Sequence, residues 1–346
     1  MPNQYYCVLL AFLVCAALLP AVKRLARRFH LFDPPGPLKI HSGPIARLGG
    51  IAMAAGLLAS SGVFLPLTSW KTVMFLFVFS TVWTVGLVDD VRGLPSYFRF
   101  CIQMAAGASF WFAGWHLGWF GTPLLDLGAT CLFVALVINA FNLLDGMDGL
   151  AASMGLLISM GFLMLSARAS DATEAIMAAS LLGVCAGVLT ANAPPATIFM
   201  GDSGSTLIGV VLAFLSLNWV RIEPANHSMI VPLIFLGIPL ADVVLAVLRR
   251  ARRRARLFDG DRSHYYDILL RRRWTVGRVL EVSLGATCAL VLAGWLSARG
   301  ILSAGLAAGI TLAGLAGAAY FLGSLQLESK PTRNNQQGTS LGSALD

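Results

Sequence analysis

The sequence predicts an all-α, polytopic integral membrane bundle of about eleven transmembrane helices. Three observations carry that expectation. Of 346 residues, 57% are hydrophobic and only 12% are charged, a balance foreign to water-soluble domains. Apolar runs near the 20 residues needed to cross a bilayer recur along the whole chain. Within these runs there is no strand-like alternation, and a single chain crosses lipid only as helices or as a closed barrel.

Taken in order, spans are expected over 4–22, 48–66, 72–88, 100–117, 123–140, 149–167, 174–191, 204–220, 229–248, 276–297 and 301–323. The first is an uncleaved anchor, because no basic stretch precedes it and Lys23, Arg24, Arg27 and Arg28 follow it. The loop FDPPGPLKIHSGPIARLGG is too rich in Pro and Gly for a regular helix. Loops 89–99, 140–148 and 192–203 are short, and each carries a motif. Loop 249–275 begins as a continuation of the ninth helix and holds ten arginines between Arg249 and Arg273. Residues 1–323 therefore form one membrane domain, followed by a polar, low-complexity tail expected to be disordered.

Charge sets the orientation. The alternate loops carry only Lys71, Arg168, Arg221 and Arg299, four of 25 basic residues. This asymmetry puts the amino terminus outside and the carboxyl tail in the cytoplasm. The arginine-rich loop serves as a topology signal and an attraction for anionic lipid. No aromatic residues are interleaved with its arginines, which excludes a nucleic-acid partner. Six cysteines lie in apolar spans without CxxC spacing and read as buried, inert thiols.

Acidic residues interrupt this apolar chain at three places on the predicted cytoplasmic side: Asp89-Asp90, Asp145 with Asp148, and Asp202. Carboxylates at a membrane edge are costly unless they hold a cation or work in a wet cavity. Neighbours on a helix point about 100° apart, so one of Asp89 and Asp90 faces reactants while the other orients a partner, with Arg92 and Arg99 near in sequence. Asn139, Asn142, Asp145 and Asp148 recur every third residue and would form one polar stripe on a helix. Asp202 or Ser203 is placed to cap the eighth span, leaving amino-terminal N–H groups for a phosphate. The lysine of a P-loop is missing there. A hard divalent cation takes oxygen ligands and substrate phosphate, and Asp202 with Asn142 or one of the other aspartates supplies such a set. His264, flanked by Arg262, Tyr265 and Tyr266, is a weaker candidate for binding phosphates or a sugar. Together these groups suit phosphoryl transfer on a lipid at the membrane face.

Five ordered motifs, HSGPIARLGG, DDVRGL, NAFNLLDGMDGL, NAPPATIFMGDSGS and DRSHYYDILL, span about residues 36–270. In them the chain resembles the polyprenyl-phosphate N-acetylhexosamine-1-phosphate transferases (glycosyltransferase family 4), which include the phospho-MurNAc-pentapeptide translocase and the undecaprenyl-phosphate GlcNAc-1-phosphate transferases of O-antigen synthesis. The resemblance implies a Mg²⁺-dependent reaction, with Mn²⁺ as an alternative metal. A UDP-N-acetylhexosamine gives its sugar 1-phosphate to undecaprenyl phosphate, and UMP leaves. The setting is the cytoplasmic face of the bacterial inner membrane, where the product initiates O-antigen or another surface glycan. By motif position it implies that Asp202 and Asn142 hold the metal and that Asp89, with Asp90 beside it, activates the lipid phosphate. It further implies that Asp145 and Asp148 lie near the nucleotide, that Asn192 and Phe199 line the uracil pocket, and that Arg262 and His264 reach the diphosphate or sugar. Arg99 sits where a basic phosphate contact occurs, and Arg47 matches a position of unassigned role.

Muramyl-peptide members carry a run of histidines in the last loop, whereas His264 is followed here by Tyr265 and Tyr266. This departure implies a donor other than a muramyl pentapeptide, and less polar rings suggest a 6-deoxy N-acetyl sugar such as N-acetylfucosamine or N-acetylquinovosamine. The oligomeric state stays open, a homodimer included. CDP-alcohol phosphotransferases also use aspartates at a membrane edge, but their Ala-Arg after DGxx is Ala152-Ser153 here. An ion-coupled transporter would place its acids near the bilayer midplane, not at one edge beside Gly-rich turns.

Overall fold

The structure is a computed structural model that describes residues 2–33, 44–66, 68–169, 172–223, 229–252 and 264–323. Arg262 and the tail from Ser324 lie outside the described residues. In chain order the elements are α1 (Pro2–Arg28), β1 (Phe32–Asp33), β2 (Ile45–Arg47), α2 (Gly49–Phe64), α3 (Trp70–Arg92), α4 (Ser96–Phe112), α5 (Pro123–Leu144), α6 (Leu150–Ala169) and α7 (Ala172–Asn192). There follow β3 (Ile198–Phe199), α8 (Gly201–Ile222), α9 (Ile230–Phe235), α10 (Gly237–Arg252), α11 (Tyr265–Arg271), α12 (Val276–Ala298) and α13 (Ala304–Leu322). Among the described residues seven helices (α1, α3, α5, α7, α8, α12 and α13) are long and apolar enough to cross a membrane, and α2 and most of α6 are shorter apolar helices. The chain is a multi-pass helical membrane protein.

Each predicted apolar run is helical, with three differences of detail. The ninth run is two helices, α9 and α10, parted at Leu236. Pro239 has no N–H to give the carbonyl of Phe235 four residues back, so the helical ladder breaks there. The fourth run starts earlier than expected, at Ser96, and turns at Gly114, whose φ is 84°. The all-α expectation also misses a small sheet of order β1-β2-β3. In it β1 pairs antiparallel with β2, and β2 pairs parallel with β3, setting Arg47 opposite Phe199. The Pro- and Gly-rich loop thus contributes both β1 and β2, and β2 ties its end to the segment before α8. The Gly50 N–H extends the tie by donating to the Met200 carbonyl at 2.8 Å.

Helix α8 is the centre of the bundle. Nearly every residue from Gly201 to Trp219 is buried, because α2, α3, α5, α6 and α7 all pack on it. Its interior hydroxyls are satisfied locally. Ser205 donates to the Gly201 carbonyl at 3.2 Å, Thr206 to that of Asp202 at 2.6 Å and Ser216 to that of Leu212 at 2.8 Å. A buried hydroxyl bonded to its own helix avoids the cost of an unpaired polar group in an apolar layer. Away from the acidic motifs, Phe75, Phe110, Trp115 and Phe214 lock α3, α4 and α8 together, with Phe75 and Phe214 centroids 4.5 Å apart. At that same end the fully buried Glu174 accepts from Asn218, which in turn accepts from Trp115.

At the acidic end, α3 reaches α8 through Gly86. A Cβ there would lie 2.8 Å from Ser203 Cα and 2.9 Å from the Asp202 carbonyl. Backbone cannot yield that space cheaply, so Gly86→Val should cost about 1–3 kcal/mol of overpacking strain. A lower unfolding midpoint of the detergent-solubilised protein is the expected outcome, and an unchanged midpoint would contradict this close approach.

Candidate active site

Because α3 ends and α8 begins at the same level, Asp89, Asp90 and Asp202 meet. Adjacent residues on α3 diverge, and the two aspartates take different tasks. Asp89 points to α4, where Oδ2 pairs with the Arg99 guanidinium and Oδ1 accepts from the Leu94 N–H at 2.5 Å. Arg99 also reaches Asp202 Oδ2 at 3.4 Å, so one Nη1 bridges two carboxylates. On the other side, Asn142 of α5 donates to Asp202 Oδ1 at 2.5 Å and to Ser205 Oγ at 3.2 Å. Helices α3, α4, α5 and α8 thus converge on the Asp202 carboxylate.

Asp90 faces the backbone of α8. Its Oδ1 accepts from the Asp202 N–H at 2.7 Å, and its Oδ2 accepts from the Ser203 N–H at 3.0 Å and from the Ser203 hydroxyl at 2.7 Å. A negative charge on two orphan N–H groups at a helix amino terminus is favoured by both hydrogen bonding and the helix dipole. The expectation that Asp202 or Ser203 caps α8 is therefore corrected. The residue at the cap position, Met200, makes no side-chain cap bond, and a carboxylate from another helix supplies it. These N–H groups are spent on Asp90 and are not open to a phosphate. Gly201 makes room for the clamp: its φ is 70°, and a Cβ would sit 2.5 Å from Asp90 Oδ1.

The expected four-residue polar stripe is interrupted. Helix α5 ends at Leu144, so only Asn139 and Asn142 share its face, and Asn139 donates to Gln103 of α4 at 2.5 Å. Asp145 follows as the C-cap, half-buried. Burial pushes its carboxyl well above the usual carboxylate range; the charges of Asp202, Asp90 and Asp148 push the same way, against Arg47. Asp148 turns toward the loop before α8 and accepts from the Ala196 N–H at 2.9 Å. Buried Asn192 accepts from the Gly149 N–H at 3.2 Å and donates to the Ile198 carbonyl at 3.0 Å. It holds the loop in shape, with both amide ends engaged. Phe199 and Arg47 sit side by side on β3 and β2, and Arg47 pairs with Asp33 at 3.5 Å.

His264 is buried and joined through Nδ1 to Asp242 Oδ2 of α10 at 2.6 Å, while Asp242 Oδ1 accepts from the Tyr265 N–H at 3.0 Å. Asp242 was not among the residues the sequence singled out, although an acid inside an apolar run is a signal that could have found it. The His264 ring stacks on Tyr266 at 5.8 Å, and the Tyr266 hydroxyl donates to the Leu143 carbonyl at 3.0 Å, between Asn142 and Asp145. Burial raises the Tyr266 phenol well above its ordinary value, so it stays a donor. Tyr265 donates to Ser283 at 3.1 Å. Both tyrosine hydroxyls are spent within the protein, so the inference of a 6-deoxy sugar from these rings loses its footing.

Among the described residues, no three His, Cys, Asp or Glu side chains form a ready-made metal cage. The local donors are nonetheless carboxylate oxygens, and the charge of Asp202 adds to the rise at Asp145, a sign of surplus negative charge. That fits a hard divalent cation that completes its shell with phosphate and water. Asn142 presents its N–H₂ to Asp202 here, as a donor to that carboxylate. Asp90→Asn leaves one acceptor oxygen for three donors and should cost about 1–2 kcal/mol, the scale of a lost helix cap. A lowered unfolding midpoint checks it, and a midpoint equal to that of the parent protein would contradict the clamp.

The profile of Glycosyl transferase family 4 matches residues 72–220, which run from α3 through α8 and include the acids and Asn142. The chain is similar to a probable undecaprenyl-phosphate N-acetylglucosaminyl 1-phosphate transferase of Bacillus subtilis, 30% identical over 72% of this chain and 73% of that one. It is 31% identical to the decaprenyl-phosphate N-acetylglucosaminephosphotransferase of Mycobacterium tuberculosis, over 72% of this chain and 71% of that one. Against the undecaprenyl-phosphate alpha-N-acetylglucosaminyl 1-phosphate transferase of Escherichia coli the identity is 28%, over 76% of each. Similarity over such shares of both sequences, centred on the segment that builds the acidic site, means that the chain belongs to glycosyl transferase family 4.

Proposed function

We propose that this protein transfers N-acetylglucosamine 1-phosphate from UDP-N-acetylglucosamine to undecaprenyl phosphate, releasing UMP. The observation that carries the reading is the convergence of Asp89, Asp202, Asn142 and Arg99 from four helices at one membrane-edge level. The relatives' own activities on polyprenyl phosphates support it, and their N-acetylglucosaminyl names support the choice of sugar. The setting is a single eleven-span domain in a bacterial inner membrane, with the amino terminus outside and the acids in the cytoplasm. Basic residues crowd the loops on the acids' side, which supports that orientation. The product would be the first lipid-linked sugar of O-antigen or another surface glycan.

The reaction is a phosphoryl transfer. An oxygen of the lipid phosphate bonds to the sugar-bound phosphorus, the bond from that phosphorus to the bridging oxygen breaks, and UMP departs with the bridging oxygen and its electron pair. Asp202 and Asn142 would hold Mg²⁺, which when bound neutralises diphosphate charge and the charge building on the leaving oxygen. Arg99 supplies fixed positive charge for the incoming phosphate. Both oxygens of Asp89 are engaged, by Arg99 and by the Leu94 N–H, so its role is to hold that guanidinium in place. A phosphate monoester is already largely ionised at neutral pH and needs no strong base. Asp90 acts at one remove by fixing the first turn of α8. His264, held by Asp242, and Arg47 beside Phe199 would face the donor's diphosphate and uridine, with Asp145 and Asp148 near the nucleotide.

The deciding assay is Mg²⁺-dependent UMP release with undecaprenyl phosphate and a panel of UDP-sugars. UDP-N-acetylglucosamine should be the preferred donor, and preference for a 6-deoxy N-acetyl sugar, or no UMP at all, would contradict the proposal. Asp202→Asn should lower turnover by about two to three orders of magnitude, the scale of removing a group that stabilises transition-state charge. Asp89→Asn should reduce kcat by at least about tenfold while UDP-sugar binding, read by calorimetry, changes by less than about twofold. Near-parental turnover in either variant would remove that residue from its assigned role.

A further inference from the structure

Where α11 turns into α12 the chain reads Arg272-Arg273-Trp274-Thr275, and from Arg271 to Glu281 four exposed arginines stand against that one acid. The turn lies on the acidic site's side of the bundle, because α11 also carries Tyr266, whose hydroxyl meets the Leu143 carbonyl at the end of α5. A topology signal needs only the charge of these arginines. Their geometry is more particular. Arg272 reaches the end of α13: its Nη2 donates to the carbonyls of Phe321 at 3.2 Å and Leu322 at 3.1 Å, and its guanidinium lies 5.3 Å from the centre of the Phe321 ring. Arg278, in the first turn of α12, folds back over Trp274 at 4.6 Å. A stack of this kind holds a planar cation in place and leaves its N–H edges open to an anion.

Arg273 stands between them with φ at 64°. Its N–H donates to the Leu270 carbonyl at 2.9 Å, and the Trp274 N–H to that of Leu269 at 3.2 Å, the pattern that closes a helix on a left-handed residue. Glycine takes that position without cost, whereas an L side chain is strained there. Among the described residues the Arg273 side chain has no hydrogen bond or ion pair, and the Arg278 guanidinium has only its ring. The strained turn thus carries a guanidinium that nothing in the described bundle uses. Tyr320 and Phe321 are exposed at the same edge, and aromatic rings settle at headgroup depth. Beyond this edge, α12 and α13 present mostly exposed apolar faces, a path for acyl chains. A zwitterionic headgroup would bring its own ammonium against the arginines, and a net-negative phosphodiester does not.

We infer that the turn between α11 and α12, walled by the end of α13, is a seat for the headgroup of an anionic phospholipid. Arg273 and Arg278 hold the phosphate, and Arg272 holds the end of α13 beside them. The seat is separate from the acidic site and does not depend on the reaction proposed above.

The test titrates phosphatidylglycerol, and separately phosphatidylcholine, into the full-length protein in detergent and resolves single bound lipids by native mass spectrometry. Arg273→Gly and Arg278→Gln should each weaken the tightest phosphatidylglycerol binding by about fivefold, with phosphatidylcholine binding within about twofold of the parent's. Arg273→Gly suits the left-handed turn, so its unfolding midpoint without added lipid should equal or exceed the parent's, which separates loss of lipid from loss of fold. Arg299→Gln removes a guanidinium stacked on Trp295 at the other end of α12 and should change neither affinity. Phosphatidylglycerol binding unmoved in both Arg273→Gly and Arg278→Gln overturns the inference, and so does an equal loss for phosphatidylcholine or an equal effect of Arg299→Gln. Displacement of the lipid by inorganic phosphate at the same concentration would mark a site for the free anion and overturn the lipid assignment.

Discussion

The whole arrangement depends on the carboxylate of Asp90 holding the first turn of α8. Three hydrogen bonds to that turn fix where Asp202 stands relative to α3. Without them the amino end of the most buried helix would keep two unpaired N–H groups, and the two acids at the end of α3 would face it across a gap. The hydrogen bonds and the helix dipole offset part of the cost of that buried anion. It also consumes Asp90 completely, leaving Asp89 and Asp202 as the carboxylates that share one guanidinium. Like charges about 4 Å apart repel by about 4 kcal/mol at an effective dielectric constant of 20. A single bridging Arg99 attracts both carboxylates but balances only one of their two charges, and the negative charge left over would suit a divalent cation.

Around that clamp, the rest of the molecule is positioning. The small sheet and the Gly50 bond tie the loop before α2 to the residues before Gly201. Asn192 and Asp148 shape the neighbouring loop from behind. Asp242 and Tyr266 bring His264 to the end of α5 through buried contacts rather than through the arginine-rich charge around it. At the opposite end, the aromatic cluster of Phe75, Phe110, Trp115 and Phe214 keeps α3, α4 and α8 in the register that lets their other ends meet. Gly86 converts that register into contact at the acidic level.

Much of this was legible in the sequence, for a physical reason: charge is so costly in an apolar chain that Asp89 and Asp202 stand out without any coordinates, and Asn142 stands out by its place in a row of polar residues. The helices were legible because lipid leaves the backbone few options. What escaped was everything that depends on rotation or on a loop's return. Asp89 and Asp90 are adjacent, and only the packed orientation of α3 says which meets Arg99 and which meets the backbone. The row from Asn139 to Asp148 looked continuous because its spacing is helical, yet α5 stops at Leu144, before Gly146 and Gly149. Tyr265 and Tyr266 looked like ligand-facing rings, and Asp242 drew no notice, because the pairing of His264 with α10 bridges 22 residues of chain.

The most direct measure of the central claim is Mn²⁺ binding followed by electron paramagnetic resonance, with UDP-N-acetylglucosamine present. The account expects one Mn²⁺ per chain, coupled to donor phosphorus and lost in Asp202→Ala while the protein remains folded. Undiminished binding in that variant, or an ion without phosphorus coupling, would contradict it.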